Sequence, residues 1–350
     1  MNTLMKKILY PIFITFIALL FQNCEPDFDI YADNRDITIA YALLDVHDSI
    51  HYVKVYKGFQ STGSPLDDAQ NMENLYYFDK ITVTLEEYQG KELIQSIVLD
   101  TTTSIPRENG TFAAPQQLLY TNNIPFTLDP TATYKLKIVN NETGKVTEGK
   151  ADIVNDFAIR YPYAMAPMNL LASSAEIQFD AAVNATAYQV YFKFHYLEKK
   201  KATGEITRKT IVRDLTSAGF VYAGNAQNGK YAKKFSPYDF YKHLLNELEV
   251  DESVVRYKDG AECIEVEVWA GGSDYVKYLE VNKPSTSLVQ DRLEYTNLIC
   301  PTDENFVTSY GIFSSRTMKE RFYDMTNFSE DTSVMATRMR KLGFDYYRNL

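Results

Sequence analysis

Polar and apolar positions alternate along most of the chain. In "YQVYFKFHYLE", Tyr188, Val190, Phe192, Phe194 and Tyr196 share one parity, and Gln189, Tyr191, Lys193 and His195 share the other. Period-two patterning over this length predicts a strand with one buried face. Shorter versions recur at Ile37, Ile39, Tyr41 and Leu43, at Tyr134, Leu136 and Ile138, and at Ile264, Val266 and Val268. Turn-forming stretches separate them, among them "NNETGK" at 140–145 and "AGGSD" at 270–274. Helical spacing is confined to two places. Ser236 as N-cap, Pro237 at the first helical position, and Phe240, Leu244 and Leu248 spaced by four predict a short amphipathic helix to about residue 250. Met335, Met339 and Leu342 predict a second helix over 333–342.

The expected fold is mostly β: two Greek-key sandwiches of the immunoglobulin or fibronectin III kind, at 36–156 and 157–350, with a helical insertion at 236–250 in the second. With 27 tyrosines and 20 phenylalanines the chain suits antiparallel sheets better than helices. "LDPTATY", Leu128 to Tyr134, resembles the Leu-x-Pro-x-Thr-x-Tyr signature of fibronectin III sandwiches, with Ala132 in place of the threonine. That resemblance implies a tyrosine corner at Tyr134, a buried ring whose hydroxyl bonds to backbone a few residues upstream. Pro162 and Pro167 interrupt the strand pattern between 155 and 169 and mark the domain boundary. Beyond it, "AEIQFDAAVNATAYQVYF" is similar to two neighbouring strands of a second such sandwich.

The start of the chain changes the picture. Lys6 and Lys7 precede an apolar run from Ile8 to Phe21, 14 residues long and broken by Pro11. A spanning helix needs roughly 20 residues, so the segment 1–23 is expected to be a secretory signal rather than an anchor. Cys24 at the end of that run resembles the lipobox of bacterial lipoproteins, although Phe21 and Asn23 depart from its usual residues. The expectation is that Cys24 is alkylated with diacylglycerol and that multiple acyl chains tether the mature protein to a membrane. Residues 24–35 form an acidic tether, and Cys24-Glu25-Pro26-Asp27-Phe28-Asp29 resembles the export signal of surface lipoproteins in Bacteroidota-type bacteria. Loss of residues 1–23 removes two lysines and no acids, leaving 34 basic against 46 acidic residues, a net charge of −12. That balance disfavours nucleic acid as a partner, because phosphate recognition relies on clustered Lys and Arg.

One resemblance covers nearly the whole mature chain. "ITIAYALLDVHDSIHYVKVYKGF" near the start, with "DRLEYTNLI" and "YGIFSSR" near the end, resembles a family of Bacteroidota-type cell-surface lipoproteins. The sequence departs from that pattern at Leu293, where proline is expected, and in the spacer "CPTDENFVTS" before Tyr310. The resemblance implies an outer-membrane, surface-exposed location. It assigns no molecular activity and transfers no catalytic or binding residue.

Candidate chemistry is sparse. His47, Asp48 and Ser49 include the residue types of a hydrolase triad, but neighbours in one turn cannot form its geometry. His47 and His51 flank that turn without a third metal ligand. His195 lies on a polar strand face and His243 on the insertion helix, where surface roles suffice. Asp67, Asp68, Asn71 and Glu73 offer oxygens for calcium, yet without EF-hand spacing, and Ser64-Pro65 ahead of them favours a capped helical turn. Neither a zincin motif, a nucleophile elbow nor a phosphate loop occurs. No catalytic residue, metal or cofactor is therefore expected. Cys263 and Cys300 form either a disulfide or two isolated thiols, and Cys263 shares the parity of Glu265 and Glu267, so it need not be core.

Three function classes follow. The foremost is a non-catalytic surface module that binds a polysaccharide, a host ligand or a surface protein partner. The others are an assembly or anchor subunit of a surface structure such as a pilus, and an unrecognised hydrolase. The segments 199–235 and 299–310 are the expected binding surface, since recognition on sandwiches usually sits in loops.

Overall fold

The computed structural model describes residues 36–345 except 62, 171, 225, 227, 283–294, 304–307 and 326–338. Cys24 therefore lies outside the described residues, as do the signal segment, the whole 24–35 tether and most of the helix expected over 333–342. The chain is mostly β, with strands arranged in three sheets.

The largest sheet has ten strands. Its path runs β12 (Ile206–Asp214), β11 (Ala187–Lys200), β16 (Ile264–Gly271), β17 (Ser309–Tyr323), β1 (Thr38–Leu44), β2 (Tyr52–Lys57), β6 (Leu119–Thr121) and β5 (Asp100–Thr102); β13 (Val221–Tyr222) and β15 (Val254–Lys258) also pair with β11. A four-stranded sheet runs β4 (Glu92–Val98), β3 (Ile81–Gln89), β7 (Thr133–Asn140) and β8 (Val146–Asp152). A three-stranded sheet runs β14 (Lys230–Phe235), β10 (Ala175–Asp180) and β9 (Ile159–Tyr161).

Two large hydrophobic cores fill the space between these sheets, with a small third cluster at Ala187, Phe220 and Val276. The first draws Ala40, Ala42, Val53, Val55, Leu136 and Ile138 from the N-terminal strands. The second takes Tyr188, Val190, Phe192, Phe194 and Tyr196 from β11, with Ile264, Val266 and Val268 from β16. The alternation read in β11 and β16 thus points the apolar parity inward, as burial of a half-covered sheet requires. Ile153 belongs to the first core and Val154 to the second, but Phe313 of β17 and Leu298 return to the first. β17 links the halves: residues 309–315 pair in parallel with β1, and residues 316–323 pair antiparallel with β16. Gly311 makes the parallel register passable. Its φ is +103°, and a Cβ there would sit 2.0 Å from the carbonyl oxygen of Ala40.

Several expectations need correcting. β1 turns Thr38, Ala40, Ala42 and Leu44 inward rather than Ile39 and Tyr41. Its other face is half covered by neighbouring segments, so apolar residues occupy both parities and hydrophobicity alone cannot choose between them. "AGGSD" is not only a turn: with Gly272 as N-cap it opens a helix, Ser273–Val281. The segment 199–235 is largely strand, since β12 and β14 lie within it; β12 is an exposed edge, polar on both faces, and so lacks alternation. Cys263 and Cys300 are both free thiols. Cys263 is fully buried in the second core because a helical turn at Gly260–Glu262 leaves its backbone in the αR region, which breaks the strand parity. The helix over Pro237–Glu247 starts where expected, its Ser236 side chain accepting from the Asp239 N–H at 3.4 Å. Of the second helix, Met339 and Leu342 are described, and both are buried in the second core.

Candidate functional site

The outward parity of β11, β16 and β17 carries a dense polar cluster. Cross-strand register places Lys193 opposite Glu265, Tyr191 opposite Glu267 and Gln189 opposite Trp269, while Glu267 faces Glu320 of β17. Side chains directly opposite on one sheet face come within contact range, and these four pairs bring together residues up to 131 positions apart in the chain.

Lys193 sits at the centre. Its ammonium donates to Glu265 at 2.8 Å and also to Glu267. The second oxygen of Glu265 meets His195 Nε2 at 2.8 Å, and His195 Nδ1 meets the Thr210 hydroxyl at 2.8 Å. Burial opposes ionisation of Glu265, but its hydrogen bonds, that from Lys193 foremost, outweigh burial and hold its pKa below the ordinary carboxylate value. Burial likewise opposes the charge on Lys193, and the two glutamates overcome it, so its pKa is raised. Carboxylate oxygens of Glu265, Glu267 and Glu320 lie within 4.8 Å of one another, and the Lys193 ammonium is already the cation among them.

Beside this network a cleft of about 320 Å³ opens to solvent, lined in part by Gln189, Tyr191, Trp269, Tyr275 and Arg316. The Arg316 guanidinium lies 4.6 Å from the Trp269 ring centre, a cation–π contact. Trp269 also donates its indole N–H to Glu267 at 3.2 Å. Aromatic faces, a guanidinium, an amide and a neutralised carboxylate so arranged can stack on and hydrogen-bond a polar ligand.

His195 was expected at the surface and is instead buried, between Glu265 and Thr210 and against Phe322 of β17 at a ring distance of 6.3 Å. The other histidines are dispersed. His47 contacts Asp156 at 3.1 Å. His51 turns inward against Phe126, and burial lowers its pKa, so the two do not form a chelating pair. His243 contacts the Val212 carbonyl at 3.1 Å. The acidic segment at 65–73 begins with a helical turn, Pro65–Asp68, whose N-terminus Ser64 caps. Tyr134 is buried, and its hydroxyl accepts the Asp129 N–H at 2.9 Å; burial raises its pKa. The residues of the cleft were missed in the sequence. Their one local signal was the run of charged and aromatic residues on the polar parity of a long strand.

No family model matches this chain, and no curated protein matches it. Among solved structures, the C-terminal globular domain of an oligosaccharyltransferase from Pyrococcus abyssi is similar at 11% identity, over 63% of this chain, with a TM-score of 0.23. The chain matches 45% of that structure's length. A superposition that loose carries no functional argument.

Proposed function

We propose that this chain is a lipid-anchored cell-surface protein that binds a polar ligand, a polysaccharide ahead of a protein partner, at the outer face of its second half, and that it performs no catalysis there. The observation that supports this is the neutralisation of the carboxylates. Lys193 engages both Glu265 and Glu267, and His195 takes the remaining oxygen of Glu265. Glycoside hydrolysis needs one carboxyl protonated and its partner ionised, in environments that push their pKa values apart. The ammonium and the other hydrogen bonds that Glu265 receives hold it in its ionised form, and the same ammonium also occupies Glu267. The groups left to meet a ligand are aromatic and hydrogen-bonding.

The anchor is proposed from the sequence: Cys24 carries the lipid, and the acidic residues behind it direct export to the outer face of the outer membrane. Cys24→Ala should move the protein from the membrane fraction to the soluble one, and protease shaving of intact cells tests exposure. The fold is proposed to be a pair of immunoglobulin- or fibronectin III-like sandwiches, a reading supported by the Tyr134 corner and by a similar bond from the Ala182 N–H to Tyr188.

The decisive experiment offers the mature chain a panel of polysaccharides and measures binding together with the release of reducing ends. Binding that is lost in Trp269→Ala, without turnover, is the expected outcome. Reducing ends that vanish in Glu267→Gln would overturn the non-catalytic reading. A second reading, assembly by strand addition, draws support from β4. This edge strand pairs with β3 and leaves Leu93, Ile94 and Val98 exposed. Concentration-dependent oligomers abolished by Ile94→Lys would favour it.

A further inference from the structure

A larger cavity lies on the outer face of the first half, apart from the polar cleft. Its volume is about 590 Å³, within the range of small-molecule sites, roughly 300–1,000 Å³. Tyr41, Lys54 and Tyr56 form its floor, on the outward parity of β1 and β2. Phe59 and Leu75, from the segment following β2, form one wall, and Arg107 and Phe112, between β5 and β6, form the other. The lining is chiefly apolar, and its charges are of one sign. Lys54, Lys57 and Arg107 contribute three cations, and among the described residues no carboxylate lines the cavity. Among the described residues none of the three enters a salt bridge.

The polar atoms here are also incompletely used. The Tyr56 and Phe112 rings stack at 6.2 Å, with the Arg107 guanidinium 4.8 Å from the Phe112 centre and 5.7 Å from that of Tyr56. Tyr76 packs behind Tyr56 at 5.3 Å. Arg107 Nη1 and both tyrosine hydroxyls are buried and make no hydrogen bond of good geometry, with one another and the Leu118 backbone as polar neighbours at longer range. The three groups are near enough to influence one another's ionisation, and burial raises both tyrosine pKa values, which keeps the hydroxyls protonated donors. Burial, followed by the repulsion of Arg107, depresses the pKa of Lys54. Unsatisfied buried polar groups are costly and call for a partner. An anion is the partner that donors and unbalanced positive charge share.

We propose that this cavity binds a small amphiphilic carboxylate, its apolar body among Tyr41, Tyr56, Phe59 and Phe112 and its head group met by Arg107, Lys54 and the Tyr56 hydroxyl. An arginine fork and a carboxylate are geometrically matched, and the aromatic walls exclude the water that would weaken the pair. A neutral or cationic molecule of the same shape lacks the first interaction and meets repulsion in its place.

The test is calorimetric titration of the full chain in zwitterionic lipid nanodiscs, with empty nanodiscs as the blank. Three probes of equal shape are used: 2-naphthoate, 2-naphthamide and 2-naphthylmethylammonium. The expected result is that naphthoate binds at least tenfold more tightly than either analogue. Arg107→Gln should remove at least tenfold of the naphthoate affinity and leave that of naphthamide within twofold. Equal affinity for the three probes, no naphthoate binding at millimolar concentration, or unchanged binding in Arg107→Gln would each overturn the proposal. Should Arg107→Gln melt at a lower temperature than the parent, Tyr56→Phe decides, because it keeps the ring and removes only the hydroxyl. A severalfold loss for naphthoate alone supports the site, and unchanged affinity overturns it.

Discussion

In the first half the Tyr134 hydroxyl accepts a backbone N–H five residues upstream, at 2.9 Å, and in the second the Tyr188 hydroxyl accepts one six residues upstream, at 2.8 Å. The two halves thus repeat a local device that ties the start of a central strand to the turn before it. Behind that device their outer sheet faces diverge. In the second half the charges close on one another through Lys193, and the cleft beside them is polar and open. In the first half Lys54, Lys57 and Arg107, which enter no salt bridge among the described residues, lie around aromatic walls. The inward parity of the ten-stranded sheet must pack and is chiefly apolar, with small hydroxyl side chains such as Thr38, Ser309 and Thr317 among it. The outward parity is free to carry different chemistry at each end of one frame.

The comparison breaks most severely at the strand the halves share. Gly311→Ala places a Cβ against the Ala40 carbonyl and should cost more than about 4 kcal/mol. The single tryptophan, Trp269, reports on the second half. Urea unfolding followed by circular dichroism should therefore show a first-half transition ahead of the tryptophan signal. One coincident transition would mean that the halves unfold together whatever happens at β17.

The next largest effect separates the two outer faces. Lys193→Met leaves Glu265 and Glu267 apposed at a largely buried site and should cost about 3 kcal/mol at pH 7. The pKa of Glu265 is depressed in the fold, so its contribution is present above the unfolded value of 4.5 and is lost as pH falls through the folded value. The deficit of the mutant should accordingly shrink in acid, in denaturation series at pH 7 and pH 4. Lys54→Met in the first half removes a cation that burial disfavours and should leave stability equal or higher. A loss there similar to that of Lys193→Met would erase the contrast.

The tyrosine pair sharpens the shared device. Tyr188→Phe strands a buried N–H and should cost about 2 kcal/mol, and Tyr134→Phe, whose donor is only partly buried, about 1 kcal/mol. A melting temperature equal to the parent's in either variant would mean that its hydroxyl bond contributes nothing net. The smallest effect on stability lies at the thiols. In a Cys24→Ala background, Cys300→Ser should stay within about 0.5 kcal/mol of the parent yet abolish rapid labelling by a thiol reagent. The remaining thiol, Cys263, has its pKa pushed up to about 12 by burial, which lowers its thiolate fraction roughly a thousandfold. Rapid labelling that survives Cys300→Ser would contradict that burial.

Much of the fold was legible because its causes are local. The parity of β11, the Ser236 cap and the Leu128–Tyr134 corner each depend on residues a few positions apart, and each is visible in a single stretch. The site was not legible for the opposite reason. Lys193 reads as one more exposed lysine on a polar face until register sets it across from Glu265. His195 reads as a surface residue until Phe322 of β17 covers it. The cations of the first-half cavity come from β2 and from a connection some fifty residues later in the chain.

By itself, then, the sequence determined the period of the long half-buried strands, several of the turns that end them, and the acidic, cysteine-led start from which an anchored protein is inferred. Those are properties of neighbouring residues and of composition. Only the tertiary structure decided that β1 turns its alanines inward, that β17 pairs in parallel with β1 some 270 residues away, and that Cys263 is core rather than surface. A period of two specifies two faces but not which of them is buried. That choice belongs to whatever packs against the strand, and in this chain the packing partners come from the opposite end of the sequence.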